Sequence, residues 1–299
     1  MGEHHHHHPR IEGDRRVAAA VGVNLLLTLV QIVAGVISGS LAMIADAIHN
    51  LSDALSLVIA FAARRIARRP ADEVMTFGYG RAEVVAALVN YTTLIVIALY
   101  LVSEGIQRLF NPVEVQGWIV VVVAGVALVV DLVTALLIYS MSKDSVNIRA
   151  AFVHNVADAL GSVAVIVAGT LILLYDWRLV DPIVTLGIAG YILWHSWQGV
   201  RPVVRILMLG SPEDMSLRAV LAAIEDVEGV ASAHHLHVWR MQEHEAALEA
   251  HVVLSPGADA AAVKQALRDV LEADFGIRHA VLELETSADA CDGAAAIGH

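Results

Sequence analysis

Long apolar runs separated by short polar segments fill the first two-thirds of the chain, and the pattern changes near residue 210. A helix needs about 20 mostly apolar residues to cross a bilayer. Six stretches qualify as predicted transmembrane helices: 17–37, 41–63, 82–106, 118–139, 150–175 and the shorter 180–197. Beyond them the spacing predicts a helix over 215–226, then strands over 233–241 and 246–254 joined by the polar turn 242–245. Ser255-Pro256-Gly257 breaks the chain before a helix over 259–273 and a third strand over 280–285. This order, αββαβ, predicts two helices on a small antiparallel sheet of ferredoxin-like type. The expected fold is an α-helical membrane domain of six transmembrane helices (16–209) plus a cytoplasmic α+β domain (210–287). A His-rich segment (1–15) precedes them, and an Ala- and Gly-rich tail (288–299), expected to be disordered, follows.

Composition sharpens this division. With 57% hydrophobic and 17% charged residues, the chain is too apolar for one soluble domain. From Ser211 onward there are 16 acidic and 5 basic residues, so −11 of the net −12 belongs to the C-terminal domain. That balance argues against nucleic acid and for a cationic partner. The single cysteine, Cys291, excludes a disulfide framework or a Cys-rich zinc finger within one chain. Twelve basic residues near the helix ends, among them Arg15, Arg16, Arg64, Arg65, Arg81 and Arg149, fall on the side of the N-terminus, against only Arg108 and Arg178 on the other. Both termini are therefore expected in the cytoplasm, with the chain in a bacterial inner (plasma) membrane. His4 to His8 read equally as an expression tag or as a native metal-handling terminus.

The candidate chemistry lies inside the apolar helices. His49-Asn50-Leu51-Ser52-Asp53 and His154-Asn155-Val156-Ala157-Asp158 place a histidine and an aspartate four residues apart. Residues so spaced share a helix face, about 6 Å apart along the axis. A carboxylate deep in a bilayer costs about 3 kcal/mol to insert and persists where it has partners. A lone intramembrane histidine is as readily explained by a hydrogen bond to a carbonyl. Two identically spaced pairs at similar depth are not, and facing each other they offer two nitrogens and two oxygens, a tetrahedral set suited to Zn²⁺. Cd²⁺, Co²⁺, Ni²⁺ and Fe²⁺ also fit such a set. Asp46 shares the face of His49; it could steer metal or accept a bond from a ligating histidine, or cap a neighbouring turn. Asp131 fits a functional role or helix packing equally, whereas Asn24 and Gln31 read as interhelical glue.

At these motifs the chain resembles the cation diffusion facilitator family, in its zinc transporter branch. The similarity includes Ser40-Leu41-Ala42-Met43-Ile44-Ala45-Asp46 before the first pair, Phe77-Gly78-Tyr79-Gly80-Arg81-Ala82-Glu83 at the third helix, and the αββαβ domain. The resemblance implies proton-coupled export of metal from the cytoplasm by a homodimer in the lipid bilayer, with no organic cofactor. Some relatives carry a further site, an Asp and two His, between the second and third helices. Here Asp72 matches but Met75 and Tyr79 replace the histidines, so no such site is expected and Asp72 reads as a solvated loop charge. The resemblance also implies a cytoplasmic metal site at His234, His251 and Glu285, with Cys291 a possible contributor. The alternative is that these are surface histidines on a solvated sheet. Strand alternation sets His235 and His237 apart from His234.

Ligand chemistry supplies a mechanism. Metal requires neutral histidine and ionised aspartate, so binding expels protons and protonation expels metal. A site facing the two sides in turn can exchange one for the other. The main rival is an intramembrane zinc-dependent hydrolase, which would leave one coordination position open for water. Four protein ligands would close that position, and HExxH is absent from the sequence. A metal sensor working through the cytoplasmic domain would leave the intramembrane ligands unexplained.

Overall fold

The structure, a computed structural model, describes residues 12–139, 146–242, 245–291 and 293–298. His4 to His8, Lys143, Glu243 and His244 lie outside the described residues, as do the side chains of Asn24, Asp53 and His154. Six long helices come first: α1 (Glu12–Ser38), α2 (Leu41–Ala67), α3 (Ala82–Phe110), α4 (Gly117–Tyr139), α5 (Val146–Tyr175) and α6 (Val180–Leu207). Among the described residues, four stretches are long and apolar enough to span a membrane: Leu41–Ala67, Ala82–Phe110, Gly117–Leu136 and Val156–Tyr175. Leu25–Ser38 of α1 is apolar but shorter. Valines and leucines such as Val33, Val122, Val126 and Leu136 face outward, the polarity expected where lipid is the solvent.

Several helices outrun their apolar windows because charge ends burial without ending backbone hydrogen bonding. Thus α6 continues past residue 197 through Pro202 and carries Arg205 in its last turn. Pro202 gives up one backbone bond but not the helix.

The chain forms two compact units: Met1–Ile59 with Asn90–Gln198, and Ala60–Val89 with Gly199–His299. In the first, α2 is central. Ala42 and Met43 pack with Ala34 of α1, Val120 and Ala124 of α4 and Val165 of α5, while Leu41 and Ala45 pack with Leu101 of α3 and Ala189 of α6. Small residues set the close α4–α5 approach. A Cβ on Gly117 would stand 2.6 Å from the carbonyl oxygen of Gly169, and one on Gly169 would stand 2.8 Å from Val120.

The second unit contains α7 (Leu217–Glu225), β1 (Val230–Gln242), β2 (Glu245–Leu254), α8 (Ala260–Phe275) and β3 (His279–Glu285). Ser216 and Asp259 cap the two helices with side-chain oxygens, and Gly276 closes α8 in the left-handed region at φ 67°. Val220, Ile224, Leu267 and Leu271 seal Leu236, Val238, Leu248 and Val252 of the sheet. The sheet is not antiparallel throughout, as expected from the sequence, but mixed. In the order β1-β2-β3, β1 pairs antiparallel with β2, and β2 pairs parallel with β3. A helix crossover returns the chain in the same direction, and a complete ferredoxin-like βαββαβ sheet would insert its first strand between such a pair. Among the described residues no such strand intervenes, and β2 and β3 pair directly.

Part of the tail lies along the sheet edge. Ala295 and Ala296 accept backbone bonds from His235 and Leu236 at 2.9 and 3.1 Å, and Leu236 accepts one from Gly298 at 3.1 Å. The edge of β1 opposite β2 offers the unpaired groups that make this pairing possible.

Candidate metal centres

The intramembrane candidates lie mid-helix on α2 and α5. His49 Nε2 stands 3.6 Å from Asp158 Oδ1, joining one residue of each pair across the two helices. Two ligand atoms on a tetrahedral Zn²⁺ at about 2.0–2.1 Å lie about 3.4 Å apart, so this spacing matches a shared ion. Both side chains are mostly buried, at 15% and 11% exposure. Asp53 and His154 occupy the partner positions of the two motifs on the same helices; their side chains lie outside the described ones.

Asp46 is only 3% exposed. Its Oδ2 accepts a 3.0 Å bond from Gln31 Nε2 of α1, and it lies in the electrostatic field of His49, Asp131 and Asp158. Gly161 makes room for it on α5, since a Cβ there would stand 3.0 Å from Asp46 Oδ1. Asp131 Oδ2 accepts from Ser162 Oγ at 3.3 Å, a bond from α5 to α4. Gln31 acts as the expected interhelical glue.

One residue that holds α2 in place has no signal in the sequence. Asp181, 1% exposed in the first turn of α6, accepts bonds from Leu41 N (2.9 Å), Ala42 N (3.3 Å) and the hydroxyl of Ser40. Ser40 in turn caps α2 by accepting from Met43 N at 3.1 Å. A carboxylate on α6 thereby satisfies the orphan donors and the dipole of α2, the helix that carries His49. Arg108 anchors the same corner, donating to Gly39 O at 2.7 Å and lying 4.0 Å from Asp181.

In the second unit, His234, His251 and Glu285 come together. His251 Nδ1 is 2.6 Å from Glu285 Oε1, and His234 Nε2 is 3.4 Å from Glu285 Oε2. His234 Nε2 and Glu285 Oε2 are buried and lack a hydrogen-bond partner among the described residues, which suits donors awaiting a cation. Glu283 adds an oxygen 3.4 Å from His251 Nε2. The expected separation of His235 fails. The register shifts between His234 and His237, and His235 takes φ 50°. This bulge folds both rings toward His251, with centroids 5.0–5.2 Å apart. Ligand atoms of His234, His235, His251 and Cys291 all fall within 4.8 Å of one another. Adjacent histidines on a strand give no sequence signal for a bulge.

Asp72 is exposed in the loop, as expected of a solvated charge, and also ties that loop together. Its Oδ1 accepts from Val74 N (2.9 Å) and Met75 N (2.8 Å), and its Oδ2 accepts from the Tyr79 hydroxyl at 2.7 Å. The Met75 amide, then the Tyr79 hydroxyl and the Val74 amide, hold its carboxyl below the usual range. Asp72 shapes the α2–α3 loop, a role the residue types alone do not reveal.

A His and an Asp face each other inside an apolar helical bundle, and the α+β unit carries a His and Glu cluster. Family comparison covers nearly the whole chain. Residues 17–208 match the cation efflux transmembrane domain, and residues 212–287 match the cation efflux protein cytoplasmic domain. The chain belongs to the cation efflux family, and it is an integral membrane protein. It is 34% identical over 271 residues to a cadmium, cobalt and zinc/H(+)-K(+) antiporter of Bacillus subtilis, covering 89% of this chain and 87% of that one. It is 33% identical over 300 residues to the metal cation efflux system protein CzcD of Cupriavidus metallidurans, covering 99% and 93%. It is 32% identical over 281 residues to the zinc transporter ZitB of Escherichia coli, covering 93% and 90%. The family and these relatives are metal transporters, not enzymes, and nothing supports the hydrolase reading.

Proposed function

We propose that this chain exports Zn²⁺, and related divalent cations, from the cytoplasm in exchange for protons, as a homodimer with six spanning helices and both termini inside. The observation carrying the reading is the 3.6 Å approach of His49 to Asp158 across α2 and α5. His49, Asp53, His154 and Asp158 form the transported ion's tetrahedral site. The same four groups hold protons when metal leaves, because imidazole and carboxylate bind either. Ligand-bearing α2 packs on α1, α4 and α5 by one face and on α3 and α6 by the other, so its movement between those neighbours supplies alternating access.

If these ligands set selectivity, His49→Asp makes the set harder, with three carboxylates and one imidazole. Liposome transport with competing metals should then show weaker discrimination against Cd²⁺ and Mn²⁺. An unchanged Zn²⁺ to Cd²⁺ preference would count against control by these residues.

The cytoplasmic cluster of His234, His251 and Glu285 binds metal as a regulatory ligand, offsetting the −11 balance that two copies bring together. Calorimetric titration of the full-length protein should lose its cytoplasmic zinc-binding step in the double variant His234→Ala, His251→Ala, and zinc should no longer tighten the dimer. Retention of both would leave the cluster as an ordinary surface.

A further inference from the structure

Next to His49, helices α2, α3 and α6 enclose a cavity of about 190 Å³ whose lining is unexpectedly polar for an apolar bundle. His49, Ser56, Asn90, Tyr91, His195 and Ser196 all contribute. Ser196 is fully buried, and its hydroxyl has no hydrogen-bond partner among the described residues. Buried polar groups at membrane depth are costly and mark pathways when they converge on a cavity. His195 stacks on Tyr191 with centroids 6.2 Å apart, and Tyr191 meets His49 edge-on at 5.9 Å, so one phenol ring braces both imidazoles.

The volume holds roughly six waters at about 30 Å³ each. The donors are the imidazoles of His49 and His195 beside hydroxyl and amide groups, with no carboxylate among them. Such a neutral set replaces part of a divalent ion's hydration shell without stripping it, and binds weakly enough to release it. His49 lines the cavity and also approaches Asp158, so it is common to this chamber and to the proposed transport site.

We infer that this cavity is a waiting site for a partly hydrated divalent cation, where His195 supplies the imidazole ligand before the ion passes to His49. The inference rests on export through the His49–Asp158 site. The test uses the full-length protein in liposomes, with initial zinc uptake measured against zinc concentration at a fixed pH gradient. His195→Phe keeps a ring to stack on Tyr191 but removes the ligand, whereas His195→Asp restores one. The Phe variant should raise the half-maximal zinc concentration about tenfold, the scale on which groups supporting a metal site act, and the Asp variant should recover most of it. His49→Ala should lose flux at every zinc concentration. A half-maximal concentration within about twofold of the parent in His195→Phe, with His49→Ala inactive, would overturn the waiting site and leave the transport site standing. A lower saturating rate at unchanged half-saturation would also overturn it, because the ring would then serve only packing. Near-normal flux in His49→Ala would instead sink the reading on which the inference rests.

Discussion

Replacing His49 or Asp158 by alanine is expected to cut zinc transport by about 100-fold or more while leaving the dimer folded. Loss of a group that merely supports a metal ligand costs about 10–100-fold in affinity or activity, and a direct ligand should exceed that. Either truncation also leaves its partner across α2 and α5 facing a gap where 3.6 Å now separates them. The helices themselves should tolerate the change, since alanine is the best helix former. Reconstituted flux, with size-exclusion chromatography as the folding control, decides the matter. Flux near normal in either variant would move the transport site elsewhere.

Asp181→Ala should be nearly as damaging, by a different route. The change strips the acceptor from Leu41 N, Ala42 N and the Ser40 hydroxyl at once, all of them buried. Each orphaned buried donor costs about 1–3 kcal/mol, so a loss of several kcal/mol at the start of α2 is expected. Asp181→Asn keeps one acceptor oxygen and should recover part of it. Thermal unfolding in detergent should show the Ala variant lowest, Asn intermediate and the parent highest. Equal unfolding temperatures for all three would show that the α6 carboxylate does not hold α2.

These two sites mark what the sequence could and could not reveal. The His49 and His154 motifs were legible because helical spacing is local, and four residues always span one turn. Across α2 and α5, one residue of each copy, His49 and Asp158, lies within 3.6 Å of the other. Asp181 was not legible, because its partners lie 140 residues away and an aspartate at a helix start looks like an ordinary cap. The same limit hid the Gln31–Asp46 bond, and the bonds by which exposed Asp72 ties its loop depend on a turn rather than a period. In the second unit the strands and helices were read correctly within a few residues. The β2–β3 direction depends on which strands become neighbours, and the His235 position on a bulge; neither leaves a mark on hydrophobic alternation.

The central claim, that the His–Asp site trades metal for protons, is tested most directly by recording both fluxes at once. Liposomes carrying the full-length protein, loaded with a pH dye and given an outward or inward zinc gradient with no initial pH difference, should move protons opposite to zinc. The proton signal should vanish together with the zinc signal in Asp158→Ala. Zinc moving down its gradient at the parent's rate with no change in internal pH would contradict the account.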